Sequence, residues 1–162
     1  MSCYDIFQGE NERLGEKIGE KSGDGASLTR AQYVALATFR YELRRFMAFS
    51  ETAAHGAGLP AQQHQALLAI AGFDGEGAPT VGTLSERLMI APHTATELTS
   101  RMVEADLISK VPSAEDRRKV RLALTPKAES LLADLSAAHL RELKSLEPAL
   151  NAALSRLTRD RA

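Results

Sequence analysis

The densest group of side chains able to do chemistry is a basic cluster between positions 110 and 121. Five basic residues oppose two acidic ones, which leaves a local charge of +3 within twelve residues. Guanidinium and ammonium groups at this density bind phosphates, and an arginine at the tip of a hairpin can enter a narrow minor groove of DNA. The alternative is a solvated charged turn. The basic residues are Lys110, Arg117, Arg118, Lys119 and Arg121, and the acids are Glu115 and Asp116.

A second polar group lies on a predicted helix over residues 92–105. At 100° per residue, Ala95, Leu98 and Met102 share one side, and polar residues occupy the other. Such a division lets one face pack on a domain while the other offers hydrogen-bonding groups to a major groove about 12 Å wide. The polar residues near the start are the candidates for base edges, and Arg101 is the candidate for the DNA backbone. The candidates on this helix are His93, Thr94, Thr96, Glu97, Ser100 and Arg101.

The same pattern also fits an ordinary amphipathic surface helix. Glu97 and Glu104 lie on the polar side and oppose contact with a polyanion, although a glutamate can accept a hydrogen bond from cytosine. The neighbouring elements therefore have to decide between the two interpretations.

Those neighbours form a helix-turn-helix followed by a hairpin. Thr80 is a suitable N-cap for a helix over Val81–Leu88, and Pro92 suits the first turn of the next helix, after three connecting residues. Residues 108–111 and Val120–Leu124 have the alternation of half-buried strands, and the charged loop 112–119 joins them. We expect this hairpin to be a wing beside the second helix.

Long helices flank this unit. Residues 28–57 carry two adjacent apolar stripes, a surface too broad for one small core, so we expect burial against a second subunit. After Thr125 and Pro126 a long helix begins, and Pro148 is expected to interrupt it and start a last helix. The predicted fold class is mainly α (α+β), a winged helix-turn-helix with long N- and C-terminal dimerisation helices. The predicted divisions are a flexible arm (1–27), an N-terminal dimerisation helix (28–58), a DNA-binding lobe (59–125) and C-terminal dimerisation helices (126–162).

The bulk composition argues against other classes of protein. The 162 residues carry 20 Lys+Arg and 21 Asp+Glu, and one cysteine, Cys3, which cannot form an internal disulfide. We find no signal peptide and no run of about 20 apolar residues, so a cytoplasmic location is expected. The four histidines lack metal-ligand spacing, and no nucleophile-base-acid set or Gly-rich phosphate loop is present. We therefore expect no enzymatic activity, no metal and no cofactor.

Several local strings resemble the MarR (multiple antibiotic resistance regulator) family. The most specific is Asp116-Arg117-Arg118 followed by Val120–Leu124 and Thr125-Pro126, which is similar to the family's wing signature. Residues 60–68 and 83–88 are similar to its preceding helices. The resemblance implies a homodimeric transcriptional regulator, by default a repressor, on a palindromic operator of double-stranded DNA. It also implies that Arg118 enters the minor groove while Asp116 fixes its guanidinium.

The resemblance carries further expectations. Family members commonly respond to small phenolic or anionic effectors, for which Arg40, Tyr41, Arg44 and His64 are the candidates. The family often has glycine where Asp106 lies, so Asp106 is expected to adopt a positive φ. Some relatives sense oxidants, but Cys3 has no fixed basic partner and is expected to be an inert thiol. The competing hypothesis is a winged-helix dimer that contacts proteins and has lost DNA binding.

Overall fold

The computed structural model describes residues 28–75, 77–112 and 120–159 as five helices and one two-stranded sheet. The predicted arm and Cys3 lie outside these residues. The predicted fold class is confirmed, because every predicted element before residue 126 appears in the expected order. The elements are α1 (Arg30–Gly56), α2 (Ala61–Ala71), α3 (Val81–Leu88), α4 (Pro92–Glu104), β1 (Ile108–Pro112), β2 (Val120–Leu124) and α5 (Pro126–Arg159).

Local signals in the sequence set the ends of these helices. Thr29 caps α1 in a reciprocal pair of hydrogen bonds with Gln32, and Thr80 caps α3 in the same way with Thr83. After α1 ends, Gly58 has a φ of 72°, a value that glycine adopts without strain. The two N-caps account for where α1 and α3 begin.

The prediction that Pro148 divides the C-terminal segment into two helices is wrong. α5 runs unbroken for 34 residues with Pro148 inside it. Proline removes one main-chain hydrogen bond and costs about 3 kcal/mol in a helix interior. Leu146 and Ala153, on either side of the proline, are both buried, and a continuous helix keeps both in place. Tertiary packing therefore outweighs the local penalty.

The core joins the helix-turn-helix to the hairpin. Its largest fully buried side chains come from α2, α3, α4 and both strands, so each of these elements is held by the others. These side chains are Leu67, Leu84, Leu98, Met102, Ile108 and Leu122. α1 and α5 pack along each other, and the first half of α5 also contributes Ala128, Leu132 and Leu135 to this core.

One stripe of α1 is not covered by the rest of the chain. Leu36, Leu43 and Met47 are about two-fifths exposed, as is Leu143 on α5. Burial of this stripe by a second subunit stays a prediction. Within the described residues, no helix has both the length and the apolar character required to span a membrane.

Candidate functional site

The turn between α3 and α4 is tightly fixed. Met89 lies in the left-handed region with a φ of 53°, where it ends α3 and lets the chain turn into α4 within three residues. The Ser85 hydroxyl donates to the carbonyl of Ile90 at 2.7 Å, and the Ile90 amide donates back to the Ser85 carbonyl at 3.0 Å. These two bonds set the angle at which α4 leaves α3.

α4 has one buried and one exposed face, divided as the sequence predicts. Ala95, Leu98 and Met102 are at most 1% exposed, whereas the candidate DNA-contacting residues face outward. Of those candidates, His93, Thr96, Glu97 and Arg101 are exposed, and Thr94 and Ser100 are half-buried. The structure thus brings all six together on one side of α4.

The hydrogen bonds on this face leave it rich in acceptors. Thr96 Oγ1 donates to the Pro92 carbonyl and Ser100 Oγ donates to the Thr96 carbonyl, each at 3.0 Å. Because the hydroxyl protons point to the main chain, the oxygen lone pairs remain available to a partner. Glu97 adds a carboxylate between them, while His93 and Arg101 supply donors one turn away on either side. Such a row matches the donors and acceptors that base pairs present in a major groove.

The far end of α4 is tied to the start of α5. Thr125 Oγ1 donates to the Asp106 carbonyl at 2.8 Å, and Lys127 Nζ donates to the Ala105 carbonyl at 2.8 Å. Asp106 has a φ of 56°, which confirms the positive φ expected from the resemblance. Hydrogen bonds therefore hold α4 at both ends and set the position of its outer face.

The hairpin stands beside α4. β1 packs against α4, and the two strands pair in antiparallel register from Ile108 opposite Leu124 to Pro112 opposite Val120. The Leu122 amide donates to the Pro79 carbonyl at 2.8 Å, which ties β2 to the loop before α3. The predicted tip residues Asp116, Arg117, Arg118 and Lys119 lie outside the described residues.

A cavity of about 370 Å³ lies between α1, α2 and α5. His64 lines it, but the other three effector candidates, Arg40, Tyr41 and Arg44, are exposed and are not part of its wall. The wall is formed by Phe46, Met47 and Ser50 of α1, His64, Gln65 and Leu68 of α2, and Ser136, His139, Leu140 and Leu143 of α5.

Two buried histidines meet at this cavity. The rings of His64 and His139 are 4.8 Å apart between centroids, and the residues are 3% and 8% exposed. His139 Nδ1 lies 2.6 Å from the Leu135 carbonyl, which only accepts, so Nδ1 carries the proton. In the neutral ring, Nε2 then accepts from the Ser50 hydroxyl at 2.8 Å.

His64 differs from His139 in its bonding. Its buried Nδ1 has no hydrogen-bond partner. Burial, and secondarily the neighbouring His139, lowers the pKa of His64, so the neutral ring is favoured. The cavity therefore contains a neutral imidazole with one unsatisfied nitrogen.

Sequence reasoning identified His64 but missed its partners. His139 and Ser50 are 89 residues apart in the chain, and no motif connects them. A signal was present, because His139 interrupts an apolar stripe of α5 at helical spacing, four residues from both Leu135 and Leu143. A polar ring in such a stripe needs a buried partner.

Comparison with known proteins supports a common fold. Residues 57–119 match the family model described as "MarR family". A curated relative, the uncharacterised HTH-type transcriptional regulator YsmB of Bacillus subtilis (strain 168), is 36% identical over 59 residues, 36% of this chain. The chain covers 40% of the length of that relative.

Solved structures extend the likeness beyond that segment. A MarR family protein from Bacillus stearothermophilus aligns with a TM-score of 0.62 at 24% identity, covering 75% of this chain and 84% of its own. AbsC, a MarR family transcriptional regulator from Streptomyces coelicolor, gives 0.60 at 19%, covering 75% and 81%. A mutant of S. aureus MepR bound to an oligodeoxyribonucleotide gives 0.58 at 16%, covering 81% and 96%.

Proposed function

We propose that this chain, whose winged helix-turn-helix is that of the MarR family of transcriptional regulators, is a sequence-specific DNA-binding regulator that acts as a homodimer. The observation that carries the proposal is the outer face of α4, which is polar, exposed and held at both ends next to a hairpin. The match of residues 57–119 to the MarR family model and the fold shared with a MarR family transcriptional regulator support a regulator in preference to an enzyme.

In this proposal α4 enters the major groove. A helix with its side chains is about 10–12 Å across, which matches a groove about 12 Å wide. His93, Thr94, Thr96 and Glu97 lie in the first turns and contact base edges. Ser100 and Arg101 lie further along the helix and contact the DNA backbone, where Arg101 contributes the salt-dependent part of the affinity.

The hairpin tip enters the adjacent minor groove. Arg118 is the inserting residue, Asp116 orients its guanidinium, and Arg117 and Lys119 contact the flanking phosphates. This assignment is supported by the pairing of Pro112 with Val120, because it confines the tip to the seven residues between the strand ends.

Two copies are needed to bind a palindromic operator. We propose that the exposed stripe of α1 and the neighbouring apolar residues of α5 are buried by the same surface of the second copy in a two-fold dimer. In this division, 28–58 and 126–162 form the dimer and 59–125 forms the DNA-binding lobe. Two copies of α4 then reach half-sites about one helical turn apart. Because its proposed partner is DNA, we propose that the protein acts in the cytoplasm.

Repression relieved by a small ligand is part of the proposal. One helix, α2, contributes His64 to the cavity and Leu67 and Ile70 to the core that holds α4. A ligand in the cavity therefore contacts the helix against which the DNA-binding unit packs. Ligand binding that moves α2 changes the distance between the two copies of α4.

The test is a gel-shift titration with the DNA upstream of the protein's own gene. We expect a shift that excess random-sequence DNA does not remove, and Arg118→Ala to weaken it at least tenfold. Arg30→Ala is the matched control, because Arg30 is an exposed basic residue on α1 outside α4 and the hairpin. Absence of any shift, together with capture of a partner protein, would favour the protein-interaction module instead.

A further inference from the structure

We propose that the N-terminal segment, residues 1–27, folds back along α1, docks its acidic side chains on one face of that helix, and keeps this face from binding DNA. The inference goes beyond the proposed function, because it involves neither the outer face of α4 nor the exposed leucine and methionine stripe of α1. It gives a role to exposed arginines of α1 that are not part of the cavity wall.

Arginine and tyrosine side chains form this face. At about 100° per residue, Arg40 and Arg44 lie about 40° apart around the helix, and Tyr33 lies between them. Arg30 and Tyr41 widen the same side. All five residues are exposed, Tyr33 by 60% and Tyr41 by 56%. We call these five residues the basic face of α1.

The arginines of the basic face have no acidic partner among the described residues. The salt bridges of α1 use Arg45 instead, which lies 2.9 Å from Glu42 and 3.8 Å from Glu142. Glu42 is buried on the opposite side of the helix, and no acid precedes it in α1. Arg40 and Arg44 lie one turn apart and repel each other. An anionic segment docked here therefore offsets a charge that the described fold leaves uncompensated.

The N-terminal segment has the complementary charge. Its side chains comprise six acids and three bases, a net charge of −3 against the three arginines of the basic face. Glu12, Glu16 and Glu20 recur every four residues, and the same spacing separates Arg40 from Arg44. The apolar side chains between these acids offer contacts to the two exposed tyrosines. Because exposed ion pairs are individually weak, docking depends on several of them together and should weaken with salt.

The point of attachment brings the segment to this face. Residue 27 is three positions before Arg30, the first residue of α1, and Arg44 lies about 21 Å further along the helix. A random coil of 27 residues spans about 30 Å, so the segment can reach the whole basic face. Such a tether gives an effective concentration in the millimolar range, at which weak ion pairs are sufficient. A separate acidic protein would need a comparable concentration to compete.

Quenching of a fluorophore by tryptophan tests the contact, since the chain has one cysteine, Cys3, and no tryptophan. In the full chain with Cys3→Ser, we would attach bimane at Asn11→Cys and place the quencher at Ala37→Trp, an exposed position within the basic face. We expect roughly twofold quenching at 50 mM salt that is lost at 0.5 M salt, where exposed charges are screened. Ala105→Trp, at the exposed end of α4, is the matched control. Equal fluorescence with the two tryptophans would overturn the proposal.

Further variants test which groups form the contact. Arg40→Gln together with Arg44→Gln should abolish the quenching, and its survival in that variant would contradict the role of the basic face. Arg141→Gln together with Lys144→Gln removes two exposed bases of α5 and should leave the quenching unchanged. A mixture of chains that carry only bimane with chains that carry only the tryptophan should show no quenching. Quenching in that mixture would assign the contact to the segment of a second copy and contradict docking within one chain.

Binding of a random-sequence duplex tests the shielding. Glu12→Gln, Glu16→Gln and Glu20→Gln together should raise the affinity roughly threefold at 50 mM salt, because the uncovered basic face adds phosphate contacts. The control makes the same change in net charge at three exposed acids of α5, Glu129→Gln, Asp134→Asn and Glu147→Gln. An equal rise in both triple variants would contradict the shielding. Because this duplex contains no operator, either result leaves the gel-shift test of the proposed function independent.

Discussion

Replacing Thr125 by valine tests whether the contacts at the end of α4 hold the recognition surface in place. Valine keeps the shape of the side chain and removes only the hydroxyl. That hydroxyl donates to the Asp106 carbonyl at 2.8 Å, approaches the Leu107 carbonyl at 3.3 Å, and accepts from the Ala128 amide at 3.2 Å. One atom therefore both caps α5 and fixes the turn that ends α4.

The expected cost follows from these bonds. Loss of an N-cap costs about 1 kcal/mol, and loss of the hydrogen bond to the Asp106 carbonyl costs about 1 kcal/mol more. Thr125→Val should therefore lower the free energy of unfolding by ~2 kcal/mol. For a chain of this length that corresponds to a fall in Tm of roughly 4–8 °C.

Thermal and urea unfolding followed by circular dichroism measure this effect. Thr52→Val is the matched control, because the exposed Thr52 hydroxyl makes only one bond, to the Ala48 carbonyl of its own helix at 2.9 Å. The control should change the free energy of unfolding by no more than about 0.5 kcal/mol. If Thr125→Val and Thr52→Val have the same free energy of unfolding, the Thr125 hydroxyl does not hold α4 and the reasoning is refuted.

Three further predictions follow from particular residues. Because φ is positive at Asp106, Asp106→Gly should leave the free energy of unfolding within about 0.5 kcal/mol of the original. Asp106→Val should lower it by about 1–2 kcal/mol, and urea unfolding compares the two variants. The pKa of His64 is lowered in the fold, so the unfolded chain binds the proton more readily. The free energy of unfolding should therefore be constant above about pH 6.5 and fall as the pH is lowered below that value. The fall should be less steep in His64→Asn. The titratable side chain that faces His64 across the cavity is His139. Arg101→Ala removes one phosphate contact from each of the two copies, so it should reduce the slope of log binding constant against log salt concentration by about two units. An unchanged slope would remove Arg101 from the phosphate contacts.

Most of the fold could be predicted because its signals are local. Thr80, Pro92 and Thr125 mark the starts of three helices, and the change from helical to alternating spacing marks the hairpin. The division of α4 into a buried and an exposed face follows from the helical spacing of its apolar residues. The positive φ of Asp106 is expected from the resemblance instead, because the family often has glycine at that position.

The parts that the sequence did not predict depend on contacts between distant residues. Pro148 carries a strong local signal for a break, and only the burial of Leu146 and Ala153 shows why α5 continues. The cavity is similar, since it joins Ser50, His64 and His139 from three helices. No spacing rule connects such residues, so a local argument identifies at most one member of the group.

The most direct test of the central claim is the salt dependence of binding to the upstream DNA, measured by fluorescence anisotropy. If α4 and the hairpin tip of two copies contact roughly six to ten phosphates, affinity should fall about 10³- to 10⁵-fold between 50 and 200 mM salt. An affinity that stays within a few-fold over that range, or that is equal for random-sequence DNA, would contradict the account.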